Sequence, residues 1–132
     1  MIANHIGVEA VNQIESAKAF ASLLDRPMRL AGPDGDIALV PINDSFTLYF
    51  FQSDKPNHIH MAFHLEQEEF DALIERLKKA EIPFGTEPEN PTNRRTDGHP
   101  FGGDGIYFAD QDKNLWEFVT KTRNEWRDKG SR

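Results

Sequence analysis

Imidazoles and carboxylates are the side chains with which this sequence can do chemistry, since it holds five histidines and no cysteine. Without thiolates there is no disulfide framework, no sulfur-ligated metal and no cysteine nucleophile, so any metal must be held by nitrogen and oxygen. Three of the histidines fall in one segment, as His58, His60 and His64. Period-2 alternation puts them on one face of a strand together with Ala62, while Ile59, Met61, Phe63 and Leu65 take the face that packs on a helix. Near the other end of the chain, Leu115, Glu117 and Val119 alternate with Trp116 and Phe118, which leaves Glu117 as the one acid in an otherwise apolar strand. Burying a carboxylate there is costly unless it is paired or bound to a cation. His5 sits between Asn4 and Ile6 in a first strand. Two imidazoles and one carboxylate from separate strands suit a facial set that leaves positions open for water, substrate or dioxygen. Each residue also has a structural alternative: strand histidines often only pack, and a strand Glu usually faces solvent. Residues so far apart in sequence carry no local geometry that brings them together.

The elements that must position these residues repeat one plan. A strand over Ala3 to Ala10 precedes Asn12, which can cap a helix while Glu15 reaches back to complete a capping box. The helix runs to about Leu24 with Ile14, Ala17, Phe20, Ala21 and Leu24 on one face, and Arg26-Pro27 ends it. Strands follow over Met28 to Ala31, Ile37 to Ile42 and Phe46 to Phe51, separated by turn-rich segments. The order then begins again, with a strand from His58 to Leu65 and a helix of about Gln67 to Ala80 striped by Phe70, Leu73, Ile74 and Leu77. Gly105 to Ala109 and Leu115 to Thr120 close the chain as a hairpin. Between them and the second helix lies a stretch rich in Pro, Gly and charge, with a short strand near Ile82 to Gly85. Loops of that length often serve as lids or binding loops.

At 132 residues, 38% apolar and 28% charged, the chain is the size and composition of one ordinary globular domain. Fifteen basic against twenty-two acidic residues give a formal charge of −7, with no basic cluster to neutralise phosphates, so nucleic acid is not an expected partner. No signal-like or membrane-spanning run stands out, and a soluble cytoplasmic protein is expected.

The closing segment, Gly103-Asp-Gly-Ile-Tyr-Phe-Ala-Asp-Gln-Asp-Lys-Asn-Leu-Trp-Glu117, resembles the last hairpin of the vicinal-oxygen-chelate superfamily, the glyoxalase, bleomycin-resistance and extradiol-dioxygenase proteins. His60-Met-Ala-Phe followed by an acidic turn and a helix resembles the strand opening that family's second module, and Asn4-His5 the strand opening its first. The resemblance covers almost the whole chain. It implies an α+β domain of two βαβββ modules, about 1–54 and 55–122, with a polar tail at 123–132, whose eight strands curve into a half-open barrel around a metal. It implies His5, His60 and Glu117 as ligands of one divalent cation (Fe, Zn, Ni or Mn), and excludes His58 and His64. A homodimer is expected, since modules in this family pair across subunits as well as within a chain.

Departures narrow the chemistry. Gln111 and Lys113 stand where the family's turn has Pro and Gly, so Lys113 or Asn114 is expected to take a positive φ. Tyr49 occupies the position of the fourth, acidic ligand of metal-dependent lactoylglutathione lyases, and Gly7 that of a threonine in fosfomycin-inactivating thiol transferases. The remaining three-ligand site matches extradiol dioxygenases at Tyr107, whose strand parity points it inward as a hydrogen-bonding phenol. His99 in the long loop is a candidate acid or base, with Arg94 and Arg95 as candidate anion holders; the alternative is that all three are solvated loop residues. The expected protein is thus a metal-dependent enzyme acting on a small substrate that presents vicinal oxygens, by ring-cleaving oxygenation with Fe(II) or by lyase or transferase chemistry with other metals. The alternative is a metal-free protein that sequesters a drug.

Overall fold

The computed structural model describes residues 1–121, and the expected polar tail at 123–132 lies outside them. The elements run β1 (His5–Ala10), α1 (Gln13–Leu24), β2 (Arg29–Ala31), β3 (Ile37–Pro41), β4 (Thr47–Gln52), β5 (His60–His64), α2 (Gln67–Lys79), β6 (Gly105–Ala109) and β7 (Leu115–Val119). Two compact units are built from them, one from Met1–Ile59 with Gln111–Lys113, the other from His60–Asp110 with the described chain from Asn114 to Lys121.

In the first unit the strands form one sheet in the order β1-β4-β3-β2. The pairing of β1 with β4 is parallel and the other two pairings are antiparallel. Alternation sorts the sheet cleanly. Val8 and Ala10, Leu48 and Phe50, and Ala38 and Val40 are buried on the face that meets α1, and Phe20 of that helix stands 6.1 Å from the Phe50 ring. The opposite face carries His5 and Tyr49. The helix begins at Asn12, but the expected capping box does not form: Asn12 makes no side-chain cap and only its carbonyl engages, accepting from the Ser16 N–H. Asp25 ends the helix in the left-handed conformation, with φ 53. Arg26 then closes the end by donating to the carbonyls of Leu24 and Ile42 at 2.8 Å each.

The second unit has a three-stranded sheet in the order β5-β7-β6, with β5 parallel to β7 and β6 antiparallel to it. One face is aromatic: Phe63, Phe118 and Phe108 stack across the three strands, with centroids 5.4 and 5.8 Å apart. Ridges of this kind contribute beyond their buried area. The α2 stripe of Phe70, Leu73, Ile74 and Leu77 is buried in the same unit. The second βαβββ module is thinner than the first, because the strand expected near Ile82 to Gly85 is reduced to a single bridge between Gly85 and Tyr107. Pro83 has no N–H to give a ladder. One residue past the bridge, the Thr86 N–H turns away to the Asn93 side chain at 3.1 Å. The β6–β7 hairpin turns through Lys113 at φ 65, as expected of a turn lacking its usual glycine. Among the described residues no helix is long and apolar enough to cross a membrane.

Candidate functional site

Register decides what meets on the other face of the second sheet. Ala62 pairs with Glu117 and Glu117 with Tyr107, so these three form one rung across β5, β7 and β6. His60 lies one rung away on the same face, opposite Leu115. Its exposed imidazole reaches diagonally to Glu117, with Nε2 2.7 Å from Oε1. The carboxylate itself is buried, with Glu117 6% exposed.

The long loop supplies the other half of the arrangement. It folds back on its own sheet through Arg94 N–H to the Phe84 carbonyl at 2.8 Å and Gly105 N–H to the Thr96 carbonyl at 2.9 Å. This delivers His99 onto β6, where it is 6% exposed and sets Nε2 2.5 Å from Glu117 Oε2. His99 is thus buried against the sheet and not solvated. The neighbouring arginines are exposed, Arg94 lying over the Phe84 ring at 5.5 Å and Arg95 pairing with Asp97 at 3.1 Å. Sequence reasoning placed His99 only loosely. The available signal was the run Gly98-His-Pro-Phe-Gly-Gly103, dense enough in turn formers to double back on itself.

Tyr107 is buried beside this cluster, its ring 6.0 Å from both His60 and His99. Burial, then the nearby Glu117 carboxylate, push its phenol up to about 12. It therefore stays protonated through the neutral range and acts as a hydrogen-bond donor.

In the first unit His5 Nδ1 lies 2.7 Å from the Asn4 side-chain oxygen. Because that partner is an acceptor, Nδ1 carries a proton, and in the neutral ring this leaves Nε2 as the nitrogen that can ligate a metal. The ring is stacked on Tyr49 at 4.4 Å with an interplanar angle of 22°. His58 lies before β5, which begins at His60, and has no hydrogen bond among the described residues, while His64 Nε2 turns to the Thr120 carbonyl at 3.3 Å.

Among the described residues no three His, Asp or Glu side chains already stand as a coordination shell. The donor chemistry nonetheless fits a divalent cation. Nitrogen and oxygen donors at bond lengths of ~2.0–2.2 Å and a right angle lie about 2.9 Å apart. His60 Nε2 and Glu117 Oε1 would need only a slight opening from their 2.7 Å. No buried side-chain nitrogen or oxygen among the described residues lacks a partner, so in this structure hydrogen bonds satisfy the carboxylate.

Comparison with known proteins identifies the fold and the family. No curated protein matches the chain in sequence. Among solved structures, the oxidase ChaP-H2 is 25% identical, with a TM-score of 0.81 over 92% of this chain and 94% of that one. The oxidase ChaP-H1 is 24% identical, with a TM-score of 0.81 over 94% and 98%. TnmS3, an antibiotic binding protein from Streptomyces sp. CB03234, shares the fold at 15% identity and a TM-score of 0.69 over 92% and 97%. A family model matches residues 4–118, and the chain accordingly belongs to the glyoxalase/bleomycin resistance protein/dioxygenase superfamily.

Proposed function

We propose that the protein is a metal-dependent, dioxygen-using enzyme of the extradiol dioxygenase type, acting on a small substrate that presents two neighbouring oxygens. The observation that carries this reading is the buried Glu117 carboxylate with one oxygen turned to the exposed His60 imidazole and the Tyr107 phenol on the same rung. A buried carboxylate is costly to keep unless it serves a cation or a fixed network. A pure drug-sequestering pocket, held by apolar walls and a few neutral polar groups, has no use for one. Similarity to the oxidase ChaP-H2 at 25% identity supports oxidation over lyase chemistry, as does Tyr49 standing where a fourth acidic ligand would be.

In this reading His60 and Glu117 hold the cation, with His5 as the third donor implied by the resemblance and already in its ligand tautomer. Bound there, a redox-active cation such as Fe(II) supplies electron exchange with dioxygen and stabilises negative charge on the substrate oxygens. Tyr107 donates its phenolic proton in a hydrogen bond to a substrate oxygen, which favours the charge that develops there. The stacked, half-buried Tyr49 fixes the His5 ring and offers a flat wall. Arg95 is already paired with Asp97 and Arg94 lies over the Phe84 ring, so this reading assigns neither of them the anion.

The test is metal analysis of protein purified without chelator, followed by oxygen uptake with a panel of catechols. The expected result is near-stoichiometric iron or a neighbouring divalent metal, and uptake that needs it. Ligand binding undiminished by stripping the metal, with no uptake by the loaded protein, would replace the enzyme with a binding protein.

A further inference from the structure

His99 and His60 both point Nε2 at Glu117, and the other ring nitrogen of His99 has a fixed partner that settles its tautomer. His99 Nδ1 accepts the Phe101 backbone N–H at 3.1 Å. The Gly102 N–H closes the same turn on the His99 carbonyl at 2.9 Å. A proton on Nδ1 would meet the Phe101 N–H donor to donor, so Nδ1 is bare and the ring's one proton sits on Nε2. That proton is directed at Glu117 Oε2, a charge-assisted contact of 2.5 Å. To ligate a metal through Nε2, His99 would have to move its proton to the nitrogen that the Phe101 amide occupies.

The ring is also fixed mechanically. A Cβ on Gly105 would fall 2.7 Å from its Cγ and Cδ2, so the imidazole fills the space that any side chain at 105 would take. The side chain is 2% exposed. Turning the ring over would set a carbon against the Phe101 N–H and forfeit the contact with Glu117.

We infer that His99 is a positioning residue, a fixed Nε2–H donor that dedicates Oε2 of Glu117 and leaves Oε1 alone to face His60 and a cation. This rests on the metal reading above for its purpose, but its geometry is independent of that reading. It makes Glu117 a one-oxygen ligand and keeps the second oxygen from closing a coordination position that substrate or dioxygen needs.

Imidazole nitrogen NMR of the metal-free protein tests this first. The expected spectrum has His99 with a bare Nδ1 and a protonated Nε2, and the Nε2 proton survives addition of Zn(II) while the His60 nitrogens shift. A protonated Nδ1, or loss of the Nε2 proton on adding Zn(II), overturns the inference. Unmoved His60 signals with an intact His99 tautomer would instead remove the metal reading and leave the orienting donor standing. A Co(II) titration then reads the consequence. His99→Leu is expected to lose about 10- to 100-fold in affinity, the usual effect of removing an outer partner of a ligand. His99→Gln, which keeps a donor, should recover most of it, and Gly105→Ala, which displaces the ring without removing a polar group, should match His99→Leu. Wild-type affinity and Co(II) spectrum in both His99→Leu and Gly105→Ala would overturn the inference.

Discussion

The two units use one rung for opposite purposes. In the first, His5 opens β1 and the residue two further on, Gly7, pairs with Tyr49 of the parallel neighbour β4. In the second, His60 opens β5 and the residue two further on, Ala62, pairs with Glu117 of the parallel neighbour β7. Tyr49 and Glu117 are therefore equivalent by register, each lying diagonally beside the leading histidine. The tyrosine meets its histidine as a stacked ring at 4.4 Å, and the glutamate as a hydrogen bond at 2.7 Å. The same backbone positions an imidazole in both. The neighbour decides whether that imidazole is braced by a flat apolar surface or shares a charge. Only in the second unit does a long loop return to the sheet with a further imidazole for the second oxygen.

The sharpest way to break this comparison is Glu117→Gln, which keeps the shape but removes the charge and turns one accepting oxygen into a donating NH2. Bound divalent metal, measured by chelator competition, is expected to weaken by about one to two orders of magnitude or more. An unchanged affinity would put Glu117 on the same structural footing as Tyr49. Next in size, Tyr107→Phe should leave metal affinity intact and lower kcat by roughly 10- to 100-fold, as expected for one donor to developing charge. Tyr49→Phe, which keeps the stacking ring, should alter neither; steady-state kinetics on the two variants side by side tells donor from wall. Asn4→Ala removes the acceptor that holds the His5 tautomer and is expected to cost about tenfold in metal affinity, with no matching effect if His5 is not a ligand.

The smallest effect is on pH dependence in the metal-free protein. With its phenol at about 12 against an ordinary value of 10.0, Tyr107 keeps its proton in the fold where the unfolded chain has lost it. The contribution is full below about pH 10 and disappears as pH rises toward 12. Melting temperature should therefore fall more steeply over that window in wild type than in Tyr107→Phe, and parallel curves would show that the phenol is not so held.

Much of this site was legible in the sequence, for definite reasons. Strand parity alone puts His60, Glu117 and Tyr107 on the working faces of β5, β7 and β6, since a strand has only two faces and the other is filled by Phe63, Trp116, Phe118 and Phe108. The positive φ at Lys113 followed from a turn without glycine. Parity cannot give register, however, and register is what sets Glu117 against Tyr107 and makes Tyr49 its counterpart. His99 was less legible still: its route to Glu117 depends on the loop's own folding, through Asn93, Arg94 and Thr96, in which no periodic pattern operates. The reduced strand at Gly85 fails for a related reason, since the Thr86 N–H is taken by the Asn93 side chain. The unused cap at Asn12 is explained by no contact in the structure.

The packing of the His99 ring into the space above Gly105 has an evolutionary consequence. Since a single methyl group at 105 would evict the imidazole, the two positions are bound to vary together. Lineages that retain histidine at 99 should retain glycine at 105, and once either is lost the other is released to drift. A descendant that crosses this threshold would lose its hold on Glu117 in one mutational step while its fold survives. A catalytic scaffold could in this way become a binding scaffold without passing through an unfolded intermediate.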